Sequence, residues 1–376
     1  MQNLNMSSQN SKNFDENIID HLQLFRSQNI GPITFHKIIE KFGTASQAIK
    51  NLRDVSIISG RQIKLLDRQF AIAEFEKVKK FGAQFLTYDD PLFPSTLLQI
   101  PDCPPIITVK GDLELLKPEK IAVVGPRNAS FNALLHAKKF TVLLGQNSIV
   151  SVAGLALGVD TAVHEASLLS GTIAVLAGGI DHIYPAENTK LYHNISECGV
   201  LISESPFGLT PKGPNFIQRN RLISGLSVAT VVIEAGLQSG SLATARFAME
   251  QNREVFAVPG SPFDPRCQGT NKLIKEGANI ITAVEDILTA TRQKNSVVKK
   301  ISQISNVKKE YKFNDDEIGN VGQNIMQRLN AEPTNIDWLI SQLQIPINLL
   351  NTAIIQLEIE NKIAVNYGKI VKLSQC

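Results

Sequence analysis

No two cysteines stand near each other in this 376-residue chain: Cys103, Cys198, Cys267 and Cys376 form no C-x-x-C pair, so neither a zinc site nor a redox dithiol is signalled, and no metal is expected. No run approaches the ~18 apolar residues of a membrane span, and the first residues (MQNLNMSSQNSKNFDEN) are polar, unlike a secretory leader. A cytoplasmic, soluble chain without a membrane contact is expected. Charge of one sign is missing as well: 38 basic against 35 acidic residues leave +3, so an anion-binding surface has to come from local clustering. Neither G-x-G-x-x-G nor G-x-x-x-x-G-K-[ST] occurs, which argues against a dinucleotide cofactor and against NTP hydrolysis; no cofactor is expected. What the chain does have is 43% hydrophobic and 19% charged residues, enough for substantial cores and incompatible with global disorder.

Five segments are expected. Residues 1–16, rich in Ser, Asn and Gln, read as a disordered tail. Residues 17–84 read as a small helical domain: Ile18, Ile19, Leu22, Leu24 and Phe25 have helical spacing, and Asn29-Ile30-Gly31-Pro32 and Ser59-Gly60-Arg61 mark turns between helices. That is a helix-hairpin-helix or SAM-like pattern, whose Gly-Pro corner can offer amides to phosphate or simply turn the chain. Residues 85–292 open with an extended, Pro-rich connection to Asp112, suited to lying across the next domain. Strand-like runs follow at 120–124, 148–152, 172–177, 200–203, 229–233 and 254–258, apolar on both faces and mostly alternating with helices. Residues 293–313 lie in a basic stretch, Arg292 to Lys312 holding seven Lys/Arg against one Glu, and read as a linker. Residues 314–376 suggest a winged helix: helices near 321–329, after Pro333 and from Ile347 to Glu360, then strands Lys362–Asn366 and Lys369–Leu373 turning at Tyr367-Gly368. The fold class is thus α/β: a Rossmann-like, doubly wound parallel sheet with a small helical N-terminal domain and a C-terminal winged helix.

In such a sheet ligands gather at the carboxyl ends of the strands. The loops there share glycine and serine: Gly125 to Ser130, Ala153 to Asp160, Ala235 to Ser241 with Ser239 and Gly240 opening a helix, and Pro259-Gly260-Ser261. Such turns bring backbone amides and helix N-termini to an anion, and Arg127 adds a bidentate phosphate donor. Tight packing needs glycine too. With nucleotide fingerprints missing, a polynucleotide backbone is the phosphate left. Arg219-Asn220-Arg221, preceded by Lys212, Asn215 and Phe216, is the densest basic feature; a helix beginning near Phe216 puts Phe216, Arg219 and Asn220 on one face. A ring beside an arginine suits single-stranded nucleic acid, where stacking is worth ~1–3 kcal/mol per base. Equally, Phe216 could anchor the core while the arginines bond Glu204 or Glu234; of the pair, one structural and one phosphate-facing arginine is expected.

Catalytic groups are poorly signalled. His164, Glu165, Asp160, Glu204 and Glu234 show no nucleophile, base and orienter spacing, and read as structural. The third helix of the winged module has no Lys or Arg before Lys362, which disfavours sequence-specific duplex reading. Trp338 reads as core.

These motifs resemble the DNA-processing protein A family (DprA, also called Smf) over nearly the whole chain. The resemblance rests on YDDPLFP (88–94), VGPRNAS (124–130), AGLALGVDTAVH (153–164), GGIDHIYPAEN (178–188), ISESP (202–206), FIQRNRLISGLS (216–227), EAGLQSGSLATAR (234–246) and VPGSPFDPRCQGTNKLIKEGA (258–278). It implies a cytosolic, usually homodimeric protein, not an enzyme, that binds single-stranded DNA and loads RecA recombinase on it during natural transformation and DNA recombination in competent cells. It places DNA contacts on Arg127, Ser130, Gly154, Lys212, Phe216, Arg219, Asn220 and Arg221. The chain departs from the family pattern at Pro126, where a small residue is common, at Ala153, commonly Ser, and at Leu157, where Arg is frequent. The competing class is a nucleotide-processing enzyme or sensor of related fold; those share a P-G-G-x-G-T loop, whereas Pro259-Gly260 here runs into Ser261-Pro262-Phe263. A pure protein scaffold is a third class.

Overall fold

A computed structural model describes residues 15–51, 55, 60, 62–289, 315–329, 333–343, 345–360, 362–366 and 369–373. The expected basic linker, the Tyr367-Gly368 turn and all but the last two residues of the expected tail lie outside them. The chain divides into two compact units, Met1–Ser296 and Val297–Cys376.

The first unit opens with helices α1 (15–25), α2 (Pro32–Phe42), α3 (Ala45–Lys50) and α4 (Arg68–Lys80). Pro32 sits in the first turn of α2, where its missing N–H costs nothing, and Gly43 ends that helix at φ +79°. These helices bury Leu22, Leu24, Phe35 and Ile38 in one continuous core with Phe85, Ile106, Leu176 and Tyr192 of the α/β segment. The Ile30-Gly31-Pro32 corner faces Glu204, Ser205 and Pro206 across a cavity of 250 Å³, so it is turned toward the α/β segment.

Six parallel strands follow the expected runs to within two residues: β3 (Lys120–Val124), β4 (Val150–Ala153), β5 (Thr172–Leu176), β6 (Val200–Ser203), β7 (Ala229–Val232) and β8 (Glu254–Ala257); a short seventh parallel strand, β9 (Asn279–Ile280), stands where none is expected. Every residue of β3 to β7 is buried, because helices cover both faces. The Pro-rich stretch is corrected by the structure. It adds β1 (Gln84–Thr87) and β2 (Ile106–Gly111), antiparallel to each other, with β2 antiparallel to β6. The prolines fall in the loop between them, where no ladder N–H is needed.

The sheet order β1-β2-β6-β5-β4-β3-β7-β8-β9 steps one way from β3 to β6 and the other way from β7 to β9. The chain therefore reverses between β3 and β7, which opens a crevice at their carboxyl ends. The helices of the segment include α5 (Phe131–Gln146), α6 (Val159–Ser167), α7 (Thr189–Cys198), α8 (Gly213–Gly225), α9 (Ser241–Glu250) and α10 (Gln268–Lys275), of which α6, α8 and α9 reach the crevice.

The second unit is a winged helix: α-helices Asp315–Arg328, Ile336–Leu343 and Ile347–Ile359, with strands Ile363–Asn366 and Lys369–Lys372 joined by Thr334–Asn335 into an antiparallel sheet. Ile325, Leu339, Leu350, Leu357, Ile363 and Ile370 form its core. Trp338 is not in that core: it is 46% exposed, while its neighbour Leu339 points inward. The third helix exposes Ile355 and Ile359 where a duplex reader would carry basic side chains.

Candidate functional site at the strand ends

A cavity of 510 Å³ occupies the crevice at the β3/β7 switch point. The loop after β3 brings Gly125, Pro126 and Arg127, helix α8 brings Phe216, Arg219 and Asn220, and the loop after β7 brings Gly236, Gln238, Ser239 and Gly240. Arg127 is exposed, and its guanidinium lies over the Phe216 ring at 5.2 Å. Tyr184, itself 42% exposed, sets its ring 5.0 Å from Phe216. Phe216 belongs to none of the hydrophobic cores. It is half-buried between a surface cation and a surface ring, so a face of π density meets positive charge in one place.

Helix α8 begins at Gly213, three residues ahead of the expected start. Lys212 is its exposed N-cap; Asn215 Oδ1 accepts from the Lys212 backbone N–H at 2.8 Å. No acid sits in that first turn, so the Lys212 charge adds to the positive helix end and strengthens its pull on anions.

Both arginines of the pair are buried, at 7% and 4% exposure. Arg221 Nη2 donates to both Glu204 carboxylate oxygens at 2.6 Å, and its Nε pairs with Asp102 at 3.1 Å, which ties the loop between β1 and β2 to α8. Arg219 donates to the carbonyl oxygens of Gly154, at 2.7 Å, and Val175. Burial pulls its pKa down to about 10, opposed by Asp160, so it stays charged at neutral pH and forms the positive wall of the crevice. Gly154 is required here, because a Cβ would stand 2.5 Å from the Arg219 guanidinium.

Two anion sites in these loops are already filled by the protein's own carboxylates. Glu234 accepts from the Ser130 N–H at 2.9 Å and hydroxyl at 2.7 Å, at the N-terminus of α5. Asp160 accepts from the amides of Gly154 at 2.9 Å and Ala156 at 3.3 Å. The loop leading into α9 has no such carboxylate. Its Gly240 has open space where a Cβ would stand, and Ser239 and Ser241 share a hydroxyl hydrogen bond of 2.7 Å. This helix N-terminus lines the crevice together with Arg127, so positive potential there stays open to an outside anion.

The titratable candidates hold the fold. His164 is fully buried, bonded to the Thr172 hydroxyl at 2.7 Å and pushed down to about 3 by burial; Glu165 pairs with Lys138 at 2.9 Å. Among the described residues no cluster of His, Cys, Asp and Glu could hold a metal ion. Of the residues expected from the sequence, Arg127, Phe216, Arg219, Asn220, Ser239 and Gly240 line the crevice; Ser130, Gly154, Lys212 and Arg221 do not. Sequence reasoning missed Tyr184, although the GGIDHIYPAEN motif that contains it was in view.

Fold and site together define a class: a doubly wound α/β protein whose switch-point crevice joins Arg127 and the Phe216 ring to the N-terminus of α9, with a helical N-terminal segment and a winged helix. The chain belongs to the DNA recombination-mediator protein A family, whose model matches residues 84–292. A DprA-like N-terminal HHH domain matches residues 15–76 and a DprA winged helix domain residues 319–369. DNA processing protein DprA of Streptococcus pneumoniae is 40% identical over 244 residues, 63% of this chain and 86% of that protein. The X-ray structure of DprA from the same species superposes with a TM-score of 0.62 at 34% identity, covering 72% of this chain and 95% of that one. DNA processing protein A of Helicobacter pylori, described for its single-stranded DNA binding mode, gives a TM-score of 0.52 at 30% identity, covering 56% and 97%. No helix among the described residues is long and apolar enough to cross a membrane.

Proposed function

We propose that this chain binds single-stranded DNA in the switch-point crevice and, as a cytoplasmic homodimer without turnover of its own, protects that strand and loads RecA recombinase on it during transformation. The observation that carries the DNA reading is the Arg127 guanidinium over the Phe216 ring at 5.2 Å, beside the open N-terminus of α9. A phosphate and an adjacent base can engage that pair together, which a duplex with its bases stacked inside cannot do. Helicobacter pylori DprA, named for binding single strands, supports the same reading, and the family's description as a recombination mediator supports the recombinase step. Self-association is supported by β9, a sheet-edge strand whose Ile280 is 53% exposed.

Competition binding tests it: unlabelled single strand displaces a labelled single strand, whereas duplex of equal length competes at least about tenfold less well, ~1.4 kcal/mol. Equal competition contradicts the reading. A small-nucleotide enzyme or sensor is favoured by one observation, the cavity's 510 Å³, which falls in the usual ligand-pocket range of roughly 300–1,000 Å³. Incubation with ATP, NAD and nucleoside monophosphates decides it. No product is expected; product that disappears with Glu234→Ala or Asp160→Ala carries the enzyme reading instead.

A further inference from the structure

Phe131 is 79% exposed at the first position of α5. The helix does not need it there: the cap is Ser130, whose hydroxyl accepts from the Ala133 N–H at 3.1 Å, and first-turn positions favour acids or proline over a large ring. Nor does the core, whose members on this helix are Ala133, Ala137, Phe140 and Leu144. Yet the backbone carrying this ring is held firmly, because Glu234 grips both polar groups of the residue before it. The ring stands four residues along the chain from Arg127, at the start of the helix that follows the crevice-lining loop. An aromatic face open to solvent, carried on a firmly held backbone a few residues from Arg127, loses little further entropy when a base stacks on it.

We propose that Phe131 is a second base-stacking platform, taking the strand of single-stranded DNA where it leaves the crevice beside Arg127. This rests on the reading of the crevice as the DNA site. Leu135 and Val142 continue the exposed stripe along α5, so the alternative occupant of this face is a protein partner or a second copy, which the same experiment separates.

The test is the affinity of the full chain for an oligothymidine of about twenty nucleotides, compared among Phe131→Ala, Phe131→Leu, Phe131→Tyr, Phe216→Ala and Phe70→Ala. Phe70, 67% exposed on α4, controls for the loss of any surface ring. Phe131→Ala and Phe131→Leu are expected to weaken binding about five-fold or more with the salt dependence unchanged, while Phe131→Tyr stays within about two-fold, because stacking needs the π face and not merely apolar bulk. Phe70→Ala is expected to have no effect. Wild-type affinity in Phe131→Ala alongside a loss in Phe216→Ala overturns the platform and leaves the crevice standing. An equal loss in Phe70→Ala overturns it too. So does unchanged DNA affinity with a lower solution mass, which assigns the face to protein contact. If the parent chain binds no oligonucleotide, the crevice reading itself fails and the platform with it.

Discussion

The Glu234 carboxylate holds Ser130 with both oxygens, one on its N–H at 2.9 Å and one on its hydroxyl at 2.7 Å. An internal anion thus occupies the N-terminus of α5, whereas the crevice-lining N-terminus of α9 has no carboxylate in its first turn. Glu234→Ala should cost about 1.5–3 kcal/mol of stability, the range for hydrogen bonds to a charged group, and sulfate should restore part of the loss by filling the vacated site. Thermal melts with and without sulfate check this; an unchanged melting temperature contradicts it.

Arg221 should behave as a structural residue. Arg221, 4% exposed, pairs with Glu204 and Asp102, so Arg221→Ala strands the mostly buried Glu204 carboxylate at a cost of up to about 3–5 kcal/mol. Denaturant melts should show that loss, while DNA affinity per folded molecule stays within about two-fold of wild type. A large affinity loss in a fully folded variant would return Arg221 to the DNA-contacting set.

His164 predicts a pH dependence of stability. Burial holds its folded pKa near 3 against an ordinary 6.5, so below pH 6.5 the unfolded chain takes up a proton that the folded chain refuses. Its contribution is therefore fully present above pH 6.5 and is lost as pH falls toward 3, by at most about 1.4 kcal/mol per pH unit. His164→Asn, which keeps a hydrogen-bonding atom near Thr172, should be less stable at pH 7 yet lose less on acidification. Parallel acid limbs in the two proteins would contradict the assignment.

The winged helix should be dispensable for strand affinity. It has its own core, and its third helix exposes Ile355 and Ile359 without a basic side chain. Deleting residues 314–376, with the basic stretch before them retained, should leave affinity within a few-fold; a tenfold loss, ~1.4 kcal/mol, would contradict this.

Much of this architecture is legible from residue pattern alone. The parallel strands announce themselves because burial on both faces makes each a short apolar run, as KIAVV at Lys120–Val124 does. Strands β1 and β2 are not legible, since prolines crowd the loop between them and the pairing of β2 with β6 joins residues 89 to 95 apart in sequence. The crevice is half legible. Arg127, Phe216, Ser239 and Gly240 stand on strand-end loops or the helix beside them, where chemistry and spacing point to them. The burial of Arg219 is invisible because its partners are backbone carbonyls of Gly154 and Val175, which any sequence supplies. Glu234 and Asp160 as internal anions depend on the same kind of tertiary proximity.

The most direct test of the crevice is the salt dependence of single-strand affinity in Arg127→Ala, Phe216→Ala and the double variant. Neutralising one phosphate contributes about −0.7 to the slope of log K against log salt, so Arg127→Ala should flatten the slope by roughly that amount. Phe216→Ala should weaken binding by ~1–3 kcal/mol with the slope nearly unchanged, because it removes a stacking face and not a charge. Since the two side chains touch at 5.2 Å, the double variant should depart from additivity by more than about 0.5 kcal/mol. Unchanged affinity and slope in both single variants would contradict the account, as would a Phe216→Ala protein that melts lower but binds DNA as tightly as wild type.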